Sequence, residues 1–198
     1  MGENLLIIFV KTPEKGRVKT RLAASVGDDK ALNIYKKLLD ITAETAAGVH
    51  ATKRVSYSKS VVIDDQFDVN IFEKTVQSNG DLGRKMKSAI HAGFEQGFKR
   101  VILIGSDCPG ISSNLIDDAF DRLKSVDCTI GPSDDGGYYL IGMSRFLPEI
   151  FDDIEWSTNS VCETTIEKLE ESGATYSKLT VLNDIDTESD LMKSDLRI

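Results

Sequence analysis

Cysteine, histidine, long apolar runs and net positive charge are all scarce in this chain, and each scarcity narrows what it can do. Of its 198 residues, three are cysteine and two are histidine. Cys108, Cys128 and Cys162 are odd in number and show no C-x-x-C spacing. That removes a disulfide framework and a zinc site and suits a reducing cytoplasm. Neither His50 nor His91 has a sequence context suggesting a general base, so Cys108 reads as a small buried residue rather than a nucleophile. The N-terminal apolar run, residues 5–10, is too short for a secretory signal or a membrane span. A cytoplasmic protein without a membrane span is expected. The net charge of −8 argues against general nucleic-acid binding, which needs a basic face. No repeat, low-complexity tract or linker interrupts the chain. With 40% hydrophobic and 28% charged residues, one domain over residues 1–198 is expected.

Apolar runs at 5–10, 101–104, 128–130 and 139–141 predict buried strands, with further candidates at 53–58, 69–72 and 176–182. One-faced apolar stripes predict helices over 28–47 and 81–97, a third around 115–123, and a fourth from 161 that stops at Gly173. Strand and helix alternate through the first two thirds, which implies a mainly parallel sheet covered on both faces, an α/β fold. Ligands of such sheets bind at the carboxyl ends of the strands. The unusual segments of this chain all follow strands.

The first of them is a basic stretch in an acidic chain. Lys11, Lys15, Arg17, Lys19 and Arg21 follow the first strand, with Gly16 among them and Glu14 the one acid. Gly16 allows close backbone approach, and Lys11, Arg17, Lys19 and Arg21 can pair with several phosphates; a solvated basic loop is the alternative. A Walker A loop is excluded, because Val18 stands where glycine must precede the lysine.

"GSDCPG" follows the strand at 101–104. Its Asp107 either holds a divalent cation facing the cleft or caps the helix that starts near Ser112. "NDIDT" supplies Asp184 and Asp186, which can share a metal, or one of them can cap the helix begun by "TESDL". A haloacid-dehalogenase motif is excluded, since Thr187 comes one position too early.

"DDGGYYL" offers Asp134, Asp135, Gly136, Gly137, Tyr138 and Tyr139 either to a ligand or to a bare hairpin turn. "NGDLGRKM" opens a helix with Gly80, Asp81 and Gly83 and carries Lys85. Its free N–H groups could meet a phosphate or sugar oxygen, or Asp81 could cap it. Trp156 in "EWST" reads as a packing aromatic.

In this order the motifs resemble the MobA-like, glycosyltransferase-A-like group known as DUF2064, within the nucleotide-diphospho-sugar transferase superfamily. "FVKTPEKGRVKTRL", "GDLGRKM", "LIGSDCPG", "GPSDDGGYYLIG", "WST" and "DIDTESDL" carry the resemblance over residues 9–191. It implies a three-layer Rossmann-like GT-A fold binding a nucleotide with Mg²⁺ or Mn²⁺. The metal ligands it implies are Asp107 and Asp186, and the phosphate-binding residues Lys11, Lys19 and Arg21. The first segment is closer to the phospholactate guanylyltransferase type, with its Lys-x-Arg-Leu run. Relatives in the group generally carry arginine where this chain has Lys85, and the glycosyltransferase D-x-D is absent.

The partners to expect are a nucleotide, as NTP or nucleotide-sugar, and a small-molecule acceptor. Nucleotidyl transfer is the first expectation, with Lys19, Arg21 and Asp107 at the reacting centre. Glycosyl transfer is the alternative, with Asp134 or Asp135 as the acceptor-activating base. A nucleotide-binding protein without turnover is the third. No Ser/His or Cys/His pair is required by any of them, because positioning and charge stabilisation suffice for phosphoryl chemistry.

Overall fold

The computed structural model describes residues 2–194 and 196. Strand β1 (Asn4–Val10) is apolar from Leu5 onward because both of its faces are covered. Leu6, Ile8 and Val10 enter one buried cluster with Tyr35, Phe120 and Leu140. Leu5 and Ile7 enter another with Met86, Ile141 and Phe151. Alternation along the strand thus divides one apolar run between two cores.

Strands β2 (Thr52–Tyr57), β3 (Phe72–Val76), β4 (Arg100–Ile104), β5 (Cys128–Pro132), β6 (Tyr138–Met143) and β7 (Tyr176–Lys178) complete the sheet. Its seven strands run in the order β3-β2-β1-β4-β6-β5-β7. β6 is antiparallel to both neighbours, β4 and β5, and the other strand pairs are parallel. Helices α2 (Asp28–Ala47) and α4 (Ser113–Arg122) cover the first core. Helices α3 (Leu82–Glu95) and α5 (Val161–Glu171), with a 3₁₀ turn at Pro148–Phe151, cover the second. The three-layer α/β architecture predicted from strand–helix alternation is present. Among the described residues, no helix is long and apolar enough to cross a membrane.

Several local expectations are corrected. The basic stretch expected to be a loop ends in helix α1 (Thr20–Val26). The strand expected at 69–72 begins at Phe72 instead. Val69 and Ile71 are 60% and 46% exposed, in a turn where the Ile71 and Phe72 N–H groups donate to the Asp68 carbonyl. The last strand stops at Lys178, and Leu182 makes only an isolated bridge to Ser133. Helix α6 (Glu188–Lys193) is capped by Thr187 in a capping box with Asp190, so neither Asp184 nor Asp186 caps it. Likewise Ser112, not Asp107, caps α4.

A small third cluster joins Leu22 of α1 to Ala31, Ile34 and Leu38 of α2 and to Ile185. Burying Leu22 and Ile185 stabilises by roughly 1.5–3 kcal/mol each. Its consequence is positional, because it draws the late acidic segment against the first loop.

Candidate functional site

Lys19 is the centre of the arrangement. It sits at the N-terminus of α1 with a left-handed backbone, φ 49°, which costs a non-glycine residue about 1 kcal/mol or more. Its side chain is only 3% exposed, and its Nζ lies 3.1 Å from Asp107 Oδ2 and 2.9 Å from Asp186 Oδ1. Burial works against the charged ammonium, but the Asp107 and Asp186 carboxylates outweigh it and raise its pKa.

Two backbone features bring the acids together. Asp107 follows β4 directly in the loop to α4, and the Ile185 N–H donates to the Asp107 carbonyl at 3.0 Å. Ile185 is buried, while Asp184 and Asp186 on either side of it reach the cleft.

The other cations divide into two groups. Lys15 pairs with Asp29 at 2.7 Å and Arg17 with Glu14 at 3.3 Å, all on the surface. Gly16, with φ 74°, makes the turn between them. Lys11 and Arg21 instead line a hollow of about 120 Å³ with Lys19, Asp107 and Asp186. Arg21 Nη1 is 3.7 Å from Asp186 Oδ2 and remains 72% exposed. The Lys11 backbone is pinned by Tyr35 of α2. The hydroxyl accepts from the Lys11 N–H at 2.8 Å and donates to its carbonyl at 3.0 Å. Sequence reasoning did not single out Tyr35, because its place in a helical apolar stripe signals only a core residue.

Next to this hollow opens a cleft of about 460 Å³. Phe9, Met86 and Trp156 form part of its apolar wall, and Arg21, Asp135, Asp184 and Asp186 are its charged groups. Burial first, then the Asp107 and Asp135 carboxylates, push Asp184 up to about 7, against the pull of Lys19. Burial and then Asp184 push the Cys108 thiol up to about 12, which leaves it protonated and unreactive. Asp135 is held by the Ser133 hydroxyl at 2.6 Å and the Gly137 N–H at 2.9 Å. Asp134 lines a different hollow, with Pro109 and Leu182. Tyr139 donates its hydroxyl to the Thr180 carbonyl at 2.8 Å while lining the main cleft.

Glycines singled out in the sequence lie against protein. A Cβ on Gly83 would meet the Trp156 ring at 2.5 Å. Gly83 therefore lets the indole lie on the first turn of α3. At Gly136, φ is +88° and a Cβ would stand 2.0 Å from the Asn159 carbonyl oxygen. The Cys162 N–H donates to the Gly136 carbonyl at 2.8 Å, so the β5–β6 turn is latched to the start of α5. Asp81 caps α3 by accepting the Arg84 N–H at 2.8 Å and lines a separate outer hollow with Lys87 and His91. Gly80 and Lys85 line neither the hollow at Lys19 nor the main cleft.

Mg²⁺ and Mn²⁺ take oxygen ligands and commonly combine one or two carboxylates with phosphate oxygens and water. Asp107 and Asp186 already converge on one cation, the Lys19 ammonium, so their oxygens fit such an ion. Among the described residues no group of three or more Asp, Glu, His or Cys side chains surrounds a common metal position. The remaining ligands would therefore come from phosphate and water.

Comparison with known proteins gives a consistent family. The model of the family described as "Uncharacterized protein conserved in bacteria (DUF2064)" matches residues 42–158. No match is found among curated proteins. A crystal structure from Desulfovibrio desulfuricans G20, of a protein provisionally named a nucleotide-diphospho-sugar transferase, is 36% identical with a TM-score of 0.90. The alignment covers 96% of this chain and 85% of that one. CMP:2-keto-3-deoxy-manno-octonic acid synthetase complexed with CTP is 11% identical with a TM-score of 0.58, over 97% of this chain and 96% of that one. The manganese complex of Rv0371C from Mycobacterium tuberculosis H37Rv is 12% identical with a TM-score of 0.59, over 96% of each chain. The last two likenesses bear on the fold alone. On the family match and the Desulfovibrio relative, this chain belongs to the DUF2064 family, with the fold of the nucleotide-diphospho-sugar transferases.

Proposed function

We propose that the protein is a metal-dependent transferase that binds an NTP across the strand ends and passes its nucleotidyl group to a small phosphorylated or hydroxyl acceptor. The observation that carries this is the convergence of Lys19, Asp107 and Asp186 beside Lys11 and Arg21. Paired carboxylates facing phosphates repel them unless a cation stands between. Asp107 and Asp186 would hold Mg²⁺ or Mn²⁺, and that ion would supply charge neutralisation to the phosphate oxygens. Lys11 and Arg21 bind the phosphates at the rim, and Lys19 turns from the acids to the transferring phosphate. An acceptor oxygen attacks the α-phosphorus in line, and pyrophosphate leaves toward Lys11 and Arg21. The residues position and stabilise charge; none forms a covalent intermediate. The name of the Desulfovibrio relative and the CTP bound to a neighbour of the same fold support a nucleotide ligand.

A second reading, glycosyl transfer from a nucleotide-sugar, is favoured by Asp135. It faces the main cleft while Asp134 faces away, so it is the one of the two placed to take a proton from an acceptor.

Melting temperature against a panel of NTPs and nucleotide-sugars, with and without Mn²⁺, tests both. A ligand at about 100 times its Kd adds roughly 2.7 kcal/mol, which raises Tm by about 5–10 °C in a chain of this size. A metal-dependent shift with one NTP, abolished in Asp107→Asn, is expected. A shift with nucleotide-sugars alone would replace the first reading by the second, and no shift would overturn both.

A further inference from the structure

The charges lining the main cleft are distributed unevenly. Among the described residues its one cation is Arg21, which is 72% exposed and also lines the smaller hollow with Lys11 and Lys19. The other charged groups of the described lining are Asp135, Asp184 and Asp186. What remains of the lining is neutral. Ser133, Thr158 and Asn159 offer hydroxyl and amide groups, and Trp156 presents an indole held in place by its contact with Gly83.

A phosphate monoester bound there would add a dianion beside three carboxylates, while Arg21, the one cation of the described lining, is the group that the transferase reading gives to the nucleotide phosphates. Like charges brought together in a cleft are strongly disfavoured. A hydroxyl-bearing ring finds hydrogen-bond partners and a flat apolar surface instead. We propose that the acceptor is an uncharged or cationic hydroxyl-bearing ring compound, such as a sugar or amino sugar, and not a phosphorylated one. This rests on the transferase reading and narrows it. In nucleotidyl transfer the acceptor hydroxyl oxygen bonds to the α-phosphorus as the bond from that phosphorus to the bridging oxygen breaks. Pyrophosphate leaves, and the hydroxyl proton passes to the Asp135 carboxylate and on to water. In glycosyl transfer the same hydroxyl attacks the anomeric carbon and the nucleoside diphosphate leaves. Either way, the acceptor end of the cleft meets a neutral or positive molecule.

Trp156 is the chain's one tryptophan and lines both this cleft and the outer hollow, so its emission reports binding. Asp135 and Asp184 line this cleft and not the outer one, so a response altered in variants at these residues assigns the binding to the cleft. Glucose and glucosamine are titrated against their 6-phosphates at constant ionic strength, in wild type and in the Asp135→Asn/Asp184→Asn double variant. The 6-phosphates are expected to bind about tenfold more weakly or worse, with most of that gap lost in the double variant. Equal or tighter binding of the phosphates overturns the proposal, as does silence from all four sugars. A nucleotide-dependent Tm shift together with a preference for phosphates would sink this inference and leave the transferase reading. Discrimination against phosphates with no nucleotide shift would do the reverse.

Discussion

Replacing Lys19 by methionine keeps the length of the side chain and removes the charge that joins Asp107 to Asp186. In the fold its Nζ reaches both carboxylates, at 3.1 and 2.9 Å, from a side chain only 3% exposed. Deleting one member of a fully buried ion pair costs about 3–5 kcal/mol. Here the acids are 37% and 44% exposed, so water screens them and the cost falls to about 1–2 kcal/mol. At about 2–4 °C per kcal/mol for a chain of this size, Tm should drop by roughly 2–8 °C. Nucleotide affinity should also fall, because a hydrogen bond to a charged group contributes about 1.5–3 kcal/mol, or roughly 10–150-fold in Kd. Added Mn²⁺ should act in the opposite sense. Two carboxylates left without their ammonium take up a divalent cation more readily, so Mn²⁺ should raise Tm more in Lys19→Met than in wild type. Thermal melts of both proteins, with Mn²⁺ and with nucleotide added separately, read all three effects. A variant as stable as wild type that gains nothing extra from Mn²⁺ would refute the role of Lys19 as the internal cation of this site.

Three other perturbations test the surroundings. Gly83→Ala would drive a methyl group into the Trp156 ring, 2.5 Å away, and should shift the Trp156 emission and lower Tm; an unchanged spectrum would mean that the indole does not rest there. Asp65→Ala should destabilise by about 3–5 kcal/mol in denaturant melts, because it breaks a pair with Lys74 whose side chains are both 6% exposed, leaves that ammonium to the Val62 and Ile63 carbonyls, and removes the acceptor of the Tyr57 hydroxyl. A cost below about 1 kcal/mol would contradict that burial. Asp184, raised from 3.8 to about 7, binds its proton more tightly in the fold than in the unfolded chain. Stability of the metal-free protein should therefore fall as pH rises from about 4 to about 7 and level off above. Asp184→Asn should remove part of that fall in Tm, and parallel profiles for the two proteins would rule the effect out.

Much of this was legible in the sequence. Helix α2 spans the predicted residues 28–47, because its apolar stripe is long and Gly48 follows it. The convergence of four post-strand segments was expected from the rule for parallel sheets, and the structure brings Lys11, Lys19, Arg21, Asp107 and Asp186 together. Other features were not legible. Helix α1 hides its apolar face in Leu22 and lies in a stretch where charge dominates the pattern. β6 is buried on both faces, so periodicity could not give its direction, although the glycines of the preceding turn carried the hairpin signal. Val69 and Ile71 resemble a strand locally, yet Asp68 turns the chain there and leaves them exposed. Of the five cations in the first segment, Lys15 and Arg17 find acids on the surface and lie apart from the hollow lined by Lys11, Lys19 and Arg21. Gly83 and Gly136 are closely approached from within the protein, by Trp156 and Asn159. Contacts of that sort join distant segments and leave no local trace.

The most direct measurement is the electron paramagnetic resonance of Mn²⁺ titrated with the protein, alone and with each NTP, in wild type, Asp107→Asn and Asp186→Asn. Loss of the free-ion signal should be strongest with one NTP present and should be abolished or greatly weakened in both variants. Undiminished binding of the Mn²⁺–nucleotide complex by both variants would contradict a phosphate and metal site at Lys19, Asp107 and Asp186.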